Sequence, residues 1–167
     1  MKLDSLDVEL LSLLQHDSKK TARELGRTLD MPVTTVYAKI KRMEELGLIR
    51  GYKAILDAAK LGFAATAFVL ATFSYRSSQG ADATISQREV AKEVARFAEV
   101  QEVYVISGDW DVLIKVKATD IDAVGRFVVD KLRTVRGIEK TVTCMVFDTA
   151  KETQEISLHG YLSTQQE

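Results

Sequence analysis

The chain has 167 residues, with 23 Lys+Arg against 24 Asp+Glu and a formal net charge of -1. A hydrophobic share of 46% is too high for a disordered chain, and no apolar run approaches the roughly 18–20 residues of a membrane span. One Cys excludes an internal disulfide, and with two distant His it leaves no spacing for a structural zinc site. With no secretory signal visible, the cytoplasm is the expected compartment. The near-zero total argues at first sight against nucleic acid, but it is a sum of unlike parts. Residues 1–56 hold 10 basic and 8 acidic side chains, a net of +2, whereas residues 57–167 hold 13 and 16, a net of -3.

Up to about residue 50 the apolar residues recur at three and four, the helical period. Leu3, Leu6, Leu10, Leu13 and Leu14 form one stripe, with Asp4 and Asp7 at the end where the helix dipole favours anions. Thr21 and Glu24 have capping-box spacing and predict a short second helix that stops near Asp30. Met31-Pro32 turns the chain into a third helix, to about Leu46, which Gly47 can close in the left-handed conformation. On that helix Val33, Val36, Ile40 and Met43 share a core arc, bordered by Tyr37. Thr34, Thr35, Ala38, Lys39, Lys41 and Arg42 share the opposite arc, which carries no acidic residue before Glu44. Hydroxyls near the helix start and cations further along suit a major-groove reader; the plain alternative is the solvated face of a three-helix bundle.

From residue 64 the period changes to two. Residues 64–75 predict a strand with Ala67, Val69, Ala71 and Phe73 on one face and Phe68, Leu70, Thr72 and Ser74 on the other. A polar loop, Arg76 to Ala83, follows. Ser86 and Glu89 have capping-box spacing for a helix burying Val90, Val94 and Phe97. A strand at 102–107 and the turn Gly108-Asp109-Trp110 lead into a strand at 111–118 with Val112, Ile114 and Val116 inward. Thr119 and Asp122 open a helix carrying Val124, Phe127, Val128 and Leu132 or Val135, and a last strand is expected at about 140–148. On this strand Cys144 is expected to pack as a small hydrophobe. The order βαβ–βαβ predicts a ferredoxin-like sheet with helices on one face only. The other face, including Tyr104 and Ile106 or their alternates, would be left apolar, so dimerisation through it is expected.

Four separated segments carry a family resemblance. They are Leu3 to Leu11, Leu46 to Phe63, Val100 to Asp111 and Gly137 to Thr141. Together they resemble the Lrp/AsnC (leucine-responsive/asparagine regulator, feast/famine) transcription factors over roughly residues 2–150. The resemblance implies an α+β chain: a winged or three-helix helix-turn-helix domain, then a ferredoxin-like βαββαβ domain with an antiparallel sheet. The expected division is 1–50 for DNA binding, 51–63 as a connecting strand or linker, 64–150 for effector binding and oligomerisation, and 151–167 as a tail. The tail's Ile156, Leu158, Tyr161 and Leu162 leave open whether it packs or is disordered.

The resemblance also implies dimers that assemble into tetramers or octamers, and a small effector such as an amino acid held between dimers near a Gly-x-x-Asp turn. Here that turn is Gly108 to Asp111. The candidate effector residues are Ser107, Gly108, Asp109, Asp111, Glu139, Thr141 and Thr143. A glycine N–H can meet a carboxylate and an Asp can pair with an α-ammonium; a plain hairpin turn is the alternative. Trp110 is bulky enough to fill the cleft, and Glu139 and Lys140 would favour a charged effector over leucine. The candidate DNA contacts are Thr34, Thr35, Tyr37, Lys39, Lys41 and Arg42. Among them Lys39, where many relatives carry Arg, is expected on phosphate and not on guanine. No catalytic arrangement, metal or cofactor is expected. The expected activity is sequence-specific binding of double-stranded DNA. The alternatives are an effector-independent architectural DNA-binding protein and a metabolite-sensing oligomer whose helical domain binds protein.

Overall fold

The computed structural model describes residues 3–74, 86–158 and 161. The chain forms two compact units, residues 1–55 with 151–167, and residues 56–150.

In the first unit, α1 (Ser5–His16), α2 (Ala22–Thr28) and α3 (Val33–Glu45) enclose a core of Leu10, Leu14, Ala22, Leu25, Val36 and Met43. Each helix end has a local cause. Asp4 caps α1 and Asp7 returns the bond, a capping box that the dipole argument alone does not foresee. Thr21 and Glu24 form the expected box on α2. Met31 donates to Gly26 O at 2.8 Å and closes the turn between α2 and α3. Gly47, at φ +70°, donates to Glu44 O while Leu48 donates to Met43 O, the paired bonds of a Schellman motif. Val33 is 38% exposed and not part of the core, because it opens α3 before the helix meets its neighbours. The tail belongs to this unit. The Gln15 amide donates to Ile156 O at 3.1 Å and accepts from Ile156 N at 2.8 Å, so residues 155–156 dock on the end of α1. Residues 51–63 form no strand; a turn at 58–62 closes with Phe63 N donating to Ala58 O.

In the second unit the four strands are β1 (Ala65–Phe73), β2 (Val100–Val105), β3 (Val112–Ala118) and β4 (Ile138–Met145). They form an antiparallel sheet in the order β2-β3-β1-β4, the ferredoxin-like order expected of βαββαβ. The helices α4 (Gln87–Val94) and α5 (Ile121–Arg126) supply the covering layer, α5 running on through a π turn to Thr134. β1 alternates strictly, burying Ala67, Val69, Ala71 and Phe73. These pack with Val112, Ile114 and Val116, with Val90 and Val94, and with Phe127, Val128, Leu132 and Val135. Phe97 meets Phe127 edge to face, ring centres 5.7 Å apart.

Several local expectations shift. Ser86 is the N-cap of α4 but makes no side-chain cap bond, so there is no capping box. Asp120, and not Thr119, caps α5, accepting from Ala123 N at 2.7 Å. β2 begins two residues earlier than expected and β4 begins at Ile138. Cys144 is exposed, because it pairs with Phe68 on the face of the sheet that no helix covers. The loop Arg76 to Ala83 lies outside the described residues.

Register places Tyr104, Leu113, Leu70 and Val142 in one row across all four strands, on the face away from the helices. Tyr104 is 50% and Val142 42% exposed. Phe68, beside Cys144, continues this apolar strip on β1.

Candidate DNA-binding face and effector turn

The outer face of α3 is built by helical phase. Val36 and Met43 point into the core, which turns Thr34, Tyr37, Lys41 and Arg42 outward, while Thr35 is half-buried. Tyr37 is 64% exposed. The side chain of Lys41 is 77% exposed, with Glu45 one turn on at 3.7 Å.

Lys39 departs from the expectation that this face has no acidic neighbour. At about 100° per residue it stands only about 40° from Met43, at the margin of the core arc and within reach of α1. Its ammonium lies 2.6 Å from Asp4 Oδ2 and 2.8 Å from Asp7 Oδ1, and its side chain is only 15% exposed. Burial pulls its pKa down, but the hydrogen bonds to Asp4 and Asp7 outweigh this and the net shift is upward. Arg42 Nη1 lies 3.4 Å from Asp7 Oδ2, with half of its side chain exposed. Asp7 is fully buried, the one buried charged residue among those described. Asp4, Asp7, Lys39 and Arg42 therefore sum to zero charge, and Lys39 is occupied within the fold. The signal in the sequence was two Asp one turn apart at the start of the first helix, but nothing local says which residue they meet.

Sequence reasoning passed over α2. Arg23 and Arg27 are exposed and one turn apart. In a helix-turn-helix the helix before the reader crosses the phosphate backbone, so these two cations are candidate phosphate contacts. Their spacing of four, opposite the buried Ala22, Leu25 and Gly26, was the available signal. Beyond α3, the Tyr52 hydroxyl donates to Glu44 Oε1 at 2.9 Å. Burial first, then this bond, pushes its pKa up to about 12.

In the second unit, Ser107, Gly108 and Asp109 are exposed in the turn between β2 and β3. Gly108 has φ +116°, a value that side-chain-bearing residues rarely adopt. Ile106 N donates to Asp111 O at 2.8 Å and closes the turn at its base. Asp111, expected to meet a ligand ammonium, is instead engaged inside the domain. Its Oδ2 accepts from Phe73 N at 2.8 Å and its Oδ1 from Gln87 Nε2 at 3.2 Å, tying the end of β1 to the start of α4. The irregular pairing near Phe73 frees that N–H from the ladder, and a carboxylate is the partner that takes it. Thr141 pairs with Ala71 and Thr143 with Val69, so both stand on the helix-covered side of the edge strand β4. Asp111 N donates to Ala71 O, which brings the turn and Thr141 to one end of the sheet, with β1 between them. Glu139 is exposed at that end, and Thr143 lies two residues further from it.

Comparison with known proteins bears on both units. Residues 3–50 match the family described as winged helix-turn-helix DNA-binding, and residues 66–156 the Lrp/AsnC ligand binding domain. An uncharacterised HTH-type transcriptional regulator of Pyrococcus abyssi is 39% identical over 150 residues, 90% of this chain and 96% of its own. The crystal structure of an AsnC family transcriptional regulator from Agrobacterium tumefaciens is 29% identical, with TM-score 0.84 over 94% of this chain and 98% of its own. A Neisseria meningitidis transcriptional regulator crystallised as an L-Met complex shares the fold, with TM-score 0.87 over 96% of this chain and all of its own, at 24% identity.

Proposed function

Because this chain belongs to the Lrp/AsnC family of transcriptional regulators, we propose that it reads a specific duplex DNA site through α3 and that a small effector of the amino-acid class tunes that binding. The observation that carries the DNA reading is the outward face of α3, where Thr34, Tyr37, Lys41 and Arg42 project from a helix anchored by Val36 and Met43. The hydroxyls, with Thr35, supply sequence readout; Lys41 and Arg42, with Arg23 and Arg27 from α2, supply phosphate contacts. Lys39 is left out of this set because Asp4 and Asp7 hold it.

The effector reading rests on the matched ligand binding domain and on the exposed Gly108 turn. Ser107, Gly108 and Asp109 offer a backbone N–H and a carboxylate, and Glu139, Thr141 and Thr143 offer polar groups from β4. The crystallised L-Met complex of the Neisseria relative supports an amino acid. A second copy of the chain is the proposed cover for the apolar row Tyr104, Leu113, Leu70 and Val142. Two heads in a dimer would meet half-sites about one helical turn, roughly 34 Å, apart or a multiple of that. An effector that binds one assembly better than another shifts the affinity for DNA by the same linkage.

Retardation of a duplex selected from a random pool, measured with and without a panel of amino acids, tests this reading. Binding that responds to one member of the panel is the expected result. Binding indifferent to every member would favour an effector-independent architectural role, and no retardation at low salt would overturn the DNA reading. Sedimentation of the chain measures the oligomer.

A further inference from the structure

We infer that Gln15 is a positioning residue for DNA recognition: by clasping the backbone of Ile156 it gives the DNA-binding head a second tether, which holds paired heads to one half-site spacing. This rests on the reading of the chain as an oligomer that meets duplex DNA through α3. Gln15 lies in the last turn of α1, outside the proposed contacts on α2 and α3. Its carboxamide donates from Nε2 to Ile156 O at 3.1 Å and accepts from Ile156 N at 2.8 Å, across 141 positions of sequence. These are the two bonds that a paired residue of a neighbouring strand would exchange, here supplied by one side chain. The Ile156 side chain is 71% exposed, so the clasp reads backbone and not side chain. Beside it, Glu155 N donates to Thr153 Oγ1 at 3.0 Å, and Glu155 Oε1 stands 3.8 Å from His16 Nδ1. Two consecutive residues of α1 thus meet two consecutive residues of the tail.

The consequence comes from chain connectivity. The first unit holds residues 1–55 and 151–167 and the second holds residues 56–150, so the backbone passes between them twice. In the first passage, residues 51–57 are exposed and form neither helix nor strand. The second passage leaves β4 after Met145 and arrives at the clasp. A unit on one irregular tether samples many orientations, and closing a second connection removes a share of them. Two heads restricted in this way lose less freedom on half-sites at the spacing they are set for, and are held back from half-sites at another. The clasp therefore acts on the discrimination of spacing and leaves the contacts of a single head with DNA as they are.

The test uses the full chain and three duplexes. One carries two half-sites selected from a random pool by the wild type, one has those half-sites moved apart by about half a helical turn, roughly five base pairs, and one has a single half-site. The wild type should bind the selected spacing about tenfold or more tighter than the shifted one. Gln15→Ala, and Ile156→Pro, which removes the N–H, should each lower that ratio roughly three- to tenfold, while affinity for the single half-site stays within about twofold. Ile156→Ala keeps the backbone bonds and should leave the ratio unchanged; a fall there would overturn the backbone clasp. The Ile156 amide should exchange hydrogen more slowly in the wild type than in Gln15→Ala, and equal exchange would show that no clasp forms. A ratio unchanged in both Gln15→Ala and Ile156→Pro would overturn the proposal. So would an equal loss on all three duplexes, the mark of a residue that merely stabilises the head. A wild type that binds DNA without preferring a spacing would overturn the tether and leave the DNA reading standing, whereas one that retards no duplex would overturn the DNA reading itself.

Discussion

The Lys39 ammonium lies 2.8 Å from the buried carboxylate of Asp7, across 32 positions of sequence. This pair joins the capping box of the first helix to the middle of the third, so the groups that start α1 also hold a cation of α3. Asp4 completes the arrangement at 2.6 Å.

Asp4 gives that contact an acid dependence. Its pKa is lowered from 3.8, first by the Lys39 hydrogen bond and then by the Asp7 backbone N–H. A carboxylate depressed in the folded state contributes stability above its unfolded value, and that contribution is lost as pH falls through the folded value. Asp4→Asn should therefore reduce stability near neutrality and converge on the wild type as pH falls through the lowered folded value. Because Asp4 is more than half exposed, the difference should stay under about 1 kcal/mol. Urea midpoints across the acid range measure it.

Gly26→Ala should destabilise the head. A Cβ there would stand 2.7 Å from the Met31 carbonyl oxygen, a backbone atom with no freedom to move aside, in the turn that joins α2 to α3. The expected loss is about 1–3 kcal/mol, read by thermal unfolding. DNA retardation should fall with it, since that turn sets the angle of α3.

Arg23→Ala on α2 should weaken binding to all duplexes by a similar factor and lower the salt slope by about one. A loss confined to one base of the selected site would instead place Arg23 at a base edge.

Asp111→Ala should act within its own domain. It removes the acceptor of the Phe73 N–H and of Gln87, at an expected cost of about 1–2 kcal/mol. The Phe73 amide should exchange hydrogen faster than its neighbours in β1. Unchanged exchange at Phe73 would contradict the latch assigned to Asp111.

Tyr52 should titrate well above the ordinary tyrosine range when followed by phenolate absorbance. Its pKa is raised from 10.0 to about 12 by burial and by the bond to Glu44. The stability this confers is fully present below pH 10 and is lost as pH rises toward 12. Tyr52→Phe should remove a phenolate phase near pH 12.

Much of this molecule is written in short-range pattern. The alternation of Ala67 to Phe73 decides which face of β1 is buried, since side chains of a strand point alternately to its two sides. Thr21 with Glu24 and Gly47 after α3 mark helix ends because the orphan N–H and carbonyl groups there are met by residues three or four positions away. The Arg23 and Arg27 pair was legible by the same arithmetic. What the sequence left open are partners brought in by packing. Helical phase puts Lys39 at a margin, but only the approach of α1 turns that margin into an ion pair with Asp4 and Asp7. A Gly-x-x-Asp turn reads as a ligand site until the irregular end of β1 supplies an N–H that claims Asp111. The physical reason is common to both: a charge on one element is satisfied by whichever element packs beside it, and that neighbour is chosen by the fold as a whole.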